Sequence, residues 1–176
     1  MVVAPILFAV LGERATFVVA GAFLPIVFLF ARRRLAEIDA SVAVPKARLA
    51  LLRTLPIFAP LPAPTMEHVA SRLIPTEATA GTEIVKQGDL GDRFYIIEDG
   101  EVTVSKDDRT VAALGRGDFF GEIALLREIP RTATVTARTN TSLYALERDD
   151  FLEAVTGHPQ STDAADAVTR ARLADR

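Results

Sequence analysis

The stretch FGEIALLREIPRTATV, residues 120–135, decides the fold of this 176-residue chain. Gly121 precedes a run that favours a short helix, Glu122–Leu126, and Arg131 is expected at the head of the next strand, where polar and apolar residues alternate. The start of such a helix exposes unpaired backbone N–H groups, and a planar guanidinium can hold a phosphate with two parallel hydrogen bonds. An ionised Glu122 accepts hydrogen bonds only, which suits a hydroxyl group. These residues predict a sugar-phosphate site, although a surface Glu–Arg ion pair would explain the same two side chains.

The residues around this stretch show the period of two that is typical of β-strands. Many short antiparallel strands separated by glycine-containing turns predict a β-sandwich, a jelly roll or a small barrel. Asp99-Gly100 lies between the predicted strands Arg93–Glu98 and Glu101–Lys106, and the Asp-Gly pair predicts a two-residue hairpin turn between them. The predicted strands are Thr82–Lys86, Arg93–Glu98, Glu101–Lys106, Thr110–Leu114, Thr132–Arg138 and Ser142–Glu147.

Helical patterns flank the predicted strands on both sides. Thr65 is placed to cap a short helix over Met66–Ile74. After the last strand, a helix is predicted over Arg148–His158, and Pro159 ends it. An alanine-rich helix that begins at about Ser161 occupies most of the C-terminal segment. The chain is therefore expected to place helices before and after the strands.

Two blocks of the sequence resemble the cyclic-nucleotide-binding domain of catabolite activator proteins, kinase regulatory subunits and cyclic-nucleotide-gated channels. One block is GDLGDRFYIIEDGEV at residues 88–102, and the other is the stretch at 120–135. The four residues RDDF at 148–151 are similar to the start of the helix that follows the β-roll in this family. The resemblance covers residues 56–157. It implies a mainly β fold, an antiparallel, jelly-roll-like β-roll with flanking α-helices.

The resemblance also implies which residues bind the ligand, cyclic AMP or cyclic GMP. Glu122 would accept a hydrogen bond from the ribose 2′-hydroxyl group, and Arg131 would pair with the cyclic phosphate. In this family a threonine at the position of Thr132 is associated with reading guanine, and alanine with adenine, but many bacterial members have threonine without that selectivity. The residues implied in ligand binding are Gly121, Glu122, Ile123, Ala124, Arg131, Thr132 and Ala133.

The C-terminal segment, residues 158–176, is a candidate lid, because family members often close the site with a bulky side chain on the last helix. This segment has no aromatic residue, and Val168 and Leu173 are its large aliphatic residues. The resemblance therefore leaves both the lid residue and the base preference open.

The first 31 residues are expected to be embedded in a membrane. Ala15–Ala31 carries no charge and approaches the roughly 20 residues that span a bilayer. Three arginines follow at 32–34, and basic residues beside a span stay in the cytoplasm, so the binding domain is expected to be cytoplasmic. Residues 32–55 are predicted to be a helical linker. A buried core helix or a signal peptide would be the alternative to a span.

Composition excludes several other functions. The chain has no cysteine, two histidines and a net charge of −3. These counts argue against thiolate metal sites, a cysteine nucleophile and a nucleic-acid partner, so no enzyme activity, metal or cofactor is expected.

The resemblance is best to bacterial major facilitator transporters that end in a cyclic-nucleotide domain, which implies the cell membrane as location and an upstream transmembrane bundle as partner. An interaction module that has lost its ligand is the alternative.

Overall fold

The computed structural model describes residues 46–174. The expected membrane segment and residues 32–45 of the predicted linker lie outside the described residues. No helix between residues 46 and 174 is both long and apolar enough to cross a bilayer. The elements in chain order are α1 Lys46–Thr54, α2 Ala63–Arg72, β1 Ile74–Ala78, β2 Glu83–Val85, β3 Arg93–Asp99, β4 Val102–Lys106, β5 Arg109–Leu114, β6 Phe119–Phe120, α3 Glu122–Arg127, β7 Thr134–Ala137, β8 Thr141–Glu147, α4 Arg148–Thr156 and α5 Pro159–Ala174.

The eight strands between residues 46 and 174 form two four-stranded sheets in which neighbouring strands are antiparallel. The strand order is β1-β8-β3-β6 in one sheet and β2-β7-β4-β5 in the other. The predicted antiparallel, jelly-roll-like fold with flanking helices is therefore confirmed. All six predicted strands are present, with ends that differ by up to two residues. The largest difference is at β7, which begins at Thr134, so Arg131 lies in the preceding loop rather than at the head of the strand.

The hairpin predicted at Asp99-Gly100 is wrong. Strand β3 pairs with β6 and β8, whereas β4 pairs with β5 and β7, so the chain changes sheets at this point. Gly100 has a φ of 95°, and a Cβ atom there would lie 2.7 Å from the carbonyl oxygen of Asn140. Glycine is therefore needed for a corner between sheets. The tight hairpin joins β4 to β5, where Asp107 and Asp108 supply φ values of 49° and 61°.

Two strands were not predicted from the sequence. Strand β1 contains Pro75 and pairs only with β8, since proline is tolerated at the edge of a sheet. Strand β6 has two residues, Phe119 and Phe120, which pair with the middle of β3. Neither strand shows a clear alternation of apolar and polar residues, because β1 contains a proline and β6 is too short.

Two helices begin earlier than predicted, and a proline lies at the start of each. Helix α2 follows Pro62 and has a proline in its first turn, so Thr65 does not cap it. Helix α5 begins at Pro159 itself. Proline lacks the backbone N–H group that the first turn of a helix leaves unpaired, so it begins a helix as readily as it ends one.

The core has two parts, one between the helices and the sheet β1-β8-β3-β6 and one inside the roll. In the first part, Phe58 and Phe151 pack around Phe94 with ring centroids 5.5 and 4.7 Å from it. Helix α1, which the sequence placed in the linker, contributes the fully buried Leu52 to this cluster. The second part fills the space between the two sheets with small and branched side chains and with the aromatic rings of Tyr95 and Phe120. This second cluster forms the apolar wall of the cavity described next.

Candidate functional site

The seven residues expected to bind the ligand all line one cavity. They come from two segments, residues 121–124 at the start of α3 and residues 131–133 before β7. The cavity volume is about 30 Å³. Its remaining walls are Val85, Val104, Phe120, Val135 and Arg172. The structure therefore brings the predicted site together and adds one charged residue from the last helix.

Gly121 joins β6 to α3 and brings the backbone against Arg131. Its φ is 96°, and a Cβ atom at this position would lie 2.7 Å from Nη1 of Arg131 and 2.9 Å from the carbonyl oxygen of Arg93. Its own carbonyl oxygen accepts a hydrogen bond of 3.1 Å from that Nη1 atom. Both the left-handed backbone and this close approach require glycine.

Arg131 is buried, with 4% of its surface exposed, and is held by several acceptors. Its Nη2 atom donates to the carboxylate of Asp92 at 3.1 Å and to the carbonyl oxygen of Arg93 at 2.8 Å. Together with the bond to Gly121, these contacts use three of the five guanidinium donors on partners within residues 46–174. The guanidinium is thus fixed at the cavity wall with donors left for an anion.

Glu122 has 1% of its surface exposed, and its carboxylate pairs with a residue that sequence analysis did not identify. Nη1 of Arg172, on α5, donates to Oε1 of Glu122 at 2.8 Å and to the carbonyl oxygen of Phe119 at 3.0 Å. The guanidinium carbon also lies 4.4 Å from the centroid of the Phe119 ring. Arg172 thus closes the cavity beside the carboxylate that was expected to accept from a ribose.

The lid candidates named from the sequence do not line the cavity. Leu173 is 46% exposed, and Val168 packs against the helical part of the core. The resemblance implies a bulky apolar side chain on the last helix, whereas the side chain of this helix that lines the cavity is Arg172. A search for a planar side chain of any charge on α5 would have included Arg172.

The remaining predicted residues shape the cavity without ion pairs. Ile123, Ala124 and Ala133 are buried, and Thr132 is half-buried. Behind this wall, the ring of Tyr95 stacks on Phe120 with centroids 5.0 Å apart. Burial is the main cause that raises the pKa of Tyr95 above its ordinary value, so this phenol is neutral at physiological pH. The charged groups of the cavity are therefore Arg131, Glu122 and Arg172.

No cluster of three or more metal-ligating side chains occurs within residues 46–174. The arrangement consists of a fixed cation, a buried carboxylate and an apolar wall inside a β-roll. It can bind an anionic group together with a hydroxyl group.

Comparison with known proteins gives a consistent result. Residues 75–158 match the family model described as "Cyclic nucleotide-binding domain". The chain is 39% identical over 102 residues to a cAMP-dependent protein kinase regulatory subunit of Yarrowia lipolytica, covering 57% of this chain and 27% of that protein. It is 36% identical over 111 residues to a cGMP-dependent protein kinase of Eimeria tenella, covering 62% of this chain and 11% of that one.

The solved structure of PKAR CBD2 with bound Sp-2Cl-cAMPS is similar in fold. It shares 31% identity with this chain, and the similarity covers 65% of this chain and 80% of that one with a TM-score of 0.58. By contrast, the chain spans about a quarter or less of the length of the two curated relatives. The similarity is therefore to one domain of those proteins.

Proposed function

The chain carries a cyclic nucleotide-binding domain, and from this premise we propose that it binds cyclic AMP or cyclic GMP in the cavity at Arg131 and acts as a regulatory module. The resemblance implied seven ligand-binding residues, and all seven line this cavity. The proposal concerns residues 46–174, where these residues lie in one folded unit.

The fixed position of Arg131 is the observation that carries the proposal. A buried cation is unfavourable unless it is paired, and Asp92, which is 69% exposed, is its one carboxylate partner within residues 46–174. A cyclic phosphate carries one negative charge and would complete the pairing of this guanidinium inside the cavity. Because the donors of Arg131 are already oriented by Gly121 and Arg93, little conformational entropy would be lost when the phosphate binds.

The nucleotide could be cyclic AMP or cyclic GMP. The two curated relatives are named for dependence on cAMP and on cGMP and are about equally similar to this chain. Thr132, the residue that the resemblance associates with base preference, lines the cavity and is half-buried. We propose cyclic AMP as the first ligand to test, with cyclic GMP in parallel.

We further propose that the domain regulates a membrane protein, as the C-terminal domain of a transporter. The support is the sequence of residues 15–34, an uncharged stretch followed by three arginines. The membrane orientation would place residues 46–174 in the cytoplasm. Protease treatment of sealed inverted vesicles tests this orientation. Digestion of the domain is expected, whereas its protection would contradict the proposed topology.

A module that keeps the fold without binding a nucleotide is the second candidate. The pairing of Glu122 with Arg172 favours it, because this carboxylate already has a partner at 2.8 Å and the cavity is small. The two candidates differ in whether Arg172 can leave Glu122 when a nucleotide is present.

Calorimetric titration of the 176-residue chain with cyclic AMP and cyclic GMP distinguishes the candidates. Arg131→Ala should weaken binding by about 10- to 100-fold, since hydrogen bonds to charged groups contribute about 1.5–3 kcal/mol each. Arg131→Lys should also weaken it, because an ammonium group cannot form two parallel bonds. Arg138→Ala is the matched control, since Arg138 is exposed and pairs with Glu101 away from the cavity. Undiminished binding by folded Arg131→Ala would show that the cavity is not the site.

A further inference from the structure

The loop that joins β2 to β3, residues 86–92, holds the backbone of Arg131 as well as its side chain. The N–H group of Arg131 donates to the carbonyl oxygen of Asp89 at 2.8 Å, and the N–H group of Gly88 donates to the carbonyl oxygen of Arg131 at 2.9 Å. The carboxylate of Asp92 accepts from the guanidinium. A shift of this loop would therefore move the phosphate-binding arginine with it.

The same loop is attached to the β4–β5 hairpin through one side chain. Nε2 of Gln87 donates to Oδ1 of Asp107 at 2.8 Å, and the N–H group of Asp107 donates to Oε1 of Gln87 at 2.9 Å. The N–H group of Gln87 also donates to Oγ1 of Thr134 at 3.0 Å. Gln87 thus links the hairpin, the loop and the start of β7, and its amide pairs with Asp107 at two points.

Asp107 has an unusual backbone that this pairing stabilises. Its φ is 49°, a left-handed conformation that carries an energetic cost for residues other than glycine and that aspartate and asparagine tolerate best. The two hydrogen bonds with Gln87 fix both the backbone and the side chain of Asp107. The hairpin tip is therefore a defined anchor for the loop.

We propose that the Gln87–Asp107 pair is a positioning clasp for the phosphate site, which sets the place of Arg131 without touching the ligand. This inference rests on the proposed function, and it adds residues outside the cavity that determine affinity. Breaking the clasp frees the amino-terminal end of the loop, so the two backbone bonds to Arg131 weaken and the guanidinium loses its fixed orientation.

A reciprocal exchange in the full 176-residue chain tests the clasp. Gln87→Glu places a carboxylate against that of Asp107 and should weaken cyclic AMP binding about 2- to 10-fold, the range for one hydrogen bond. Adding Asp107→Asn restores the hydrogen bond in the opposite direction, because the new amide at 107 can donate to the new carboxylate at 87. The double variant should bind cyclic AMP within about twofold of the parent. Asp108→Asn is the matched control, because it removes the same charge from the neighbouring residue and should leave affinity unchanged.

A second comparison shows whether Gln87 acts through Arg131. In an Arg131→Lys background, Gln87→Glu should weaken binding less than it does in the parent, because residues that act as one unit are not additive. A purely structural role would give the same loss in both backgrounds. Equal losses, or no rescue by Asp107→Asn, would overturn the proposal.

Amide hydrogen exchange in the absence of nucleotide separates the clasp from the proposed function. Gln87→Glu should speed the exchange of the Gly88 and Arg131 amides, and the reciprocal exchange should restore their protection. If the parent binds neither cyclic nucleotide, the proposed function is wrong. The exchange rates of the Gly88 and Arg131 amides then still show whether the Gln87–Asp107 pair holds the loop. Unchanged protection in Gln87→Glu would overturn it. If Gln87→Glu does not fold, Gln87→Ala, which adds no charge, takes its place in each measurement.

Discussion

Replacement of Arg172 should tighten nucleotide binding while it destabilises the fold. Arg172 pairs with Glu122 at 2.8 Å and lines a cavity of about 30 Å³. That volume holds a water molecule or two, so the cavity must widen to admit a nucleotide, and we expect Arg172 to move away when it does. The contacts of Arg172 therefore oppose binding, and Arg172→Ala removes that opposition.

The size of the effect follows from the contacts that are lost. Arg172 forms a charge-assisted hydrogen bond to Glu122, a second bond to the carbonyl oxygen of Phe119 and a cation–π contact with its ring. Its side chain is 22% exposed, so water partly replaces these contacts when it leaves. If breaking these contacts costs a net free energy of about 1–2 kcal/mol, the Arg172→Ala variant should bind the nucleotide about 5- to 30-fold more tightly. The unfolding free energy should fall by about 1–3 kcal/mol, the cost of a buried polar group left without its partner, because Glu122 loses the guanidinium.

Two measurements on one preparation test this prediction. Calorimetric titration with cyclic AMP gives the affinity, and chemical denaturation without nucleotide gives the stability. Arg170→Ala is the control, since Arg170 lies on the same helix and donates to the carbonyl oxygen of Asp166 within it. Weaker binding by Arg172→Ala would refute the competition and would instead make Arg172 a support for the bound nucleotide.

Three further outcomes are expected. Glu122→Gln should reduce the preference for cyclic AMP over its 2′-deoxy form by about 3- to 10-fold in competition titrations, because the amide is a weaker acceptor for the 2′-hydroxyl group. An unchanged preference would argue against a contact between Glu122 and that hydroxyl group. Gly121→Ala should lower the unfolding free energy by about 1–3 kcal/mol more than Gly117→Ala in denaturant melts. Both glycines have a positive φ, but only alanine at 121 places a Cβ atom within 3 Å of other groups. Equal losses would mean that the close contact between residue 121 and Arg131 does not affect stability. The pKa values of Tyr95 and Tyr144 are raised, mainly by burial. Spectrophotometric titration should therefore show both phenols ionising above pH 10, and stability present below pH 10 should be lost as the pH rises through these folded-state values.

The cavity could be predicted from the sequence because most of its polar residues are close together in the chain. Gly121, Glu122 and Arg131 lie within eleven positions of the sequence. Six strands of the roll were likewise predictable, because each lies in a run of strand-forming residues bounded by turn residues, whereas β1 and β6 were not. Local patterns therefore identified seven of the residues that line the cavity and most of the strands between residues 46 and 174.

The contacts between distant segments could not be read in this way. Arg172 reaches Glu122 across fifty positions, and nothing in an alanine-rich helix distinguishes this arginine from Arg170. Asp99-Gly100 carries a strong local hairpin signal, but the identity of the pairing strands depends on the packing of the two sheets. The same reasoning explains the clasp, whose partners Gln87 and Asp107 are polar residues in two separate turns.

Hydrogen–deuterium exchange with and without saturating cyclic AMP locates the bound nucleotide on the chain and so shows whether it occupies the cavity at Arg131. We expect slower exchange in two separate segments, residues 120–125 and 131–134, with the effect abolished in Arg131→Ala. Exchange that is unchanged in both segments, or protection that appears elsewhere and survives Arg131→Ala, would contradict it.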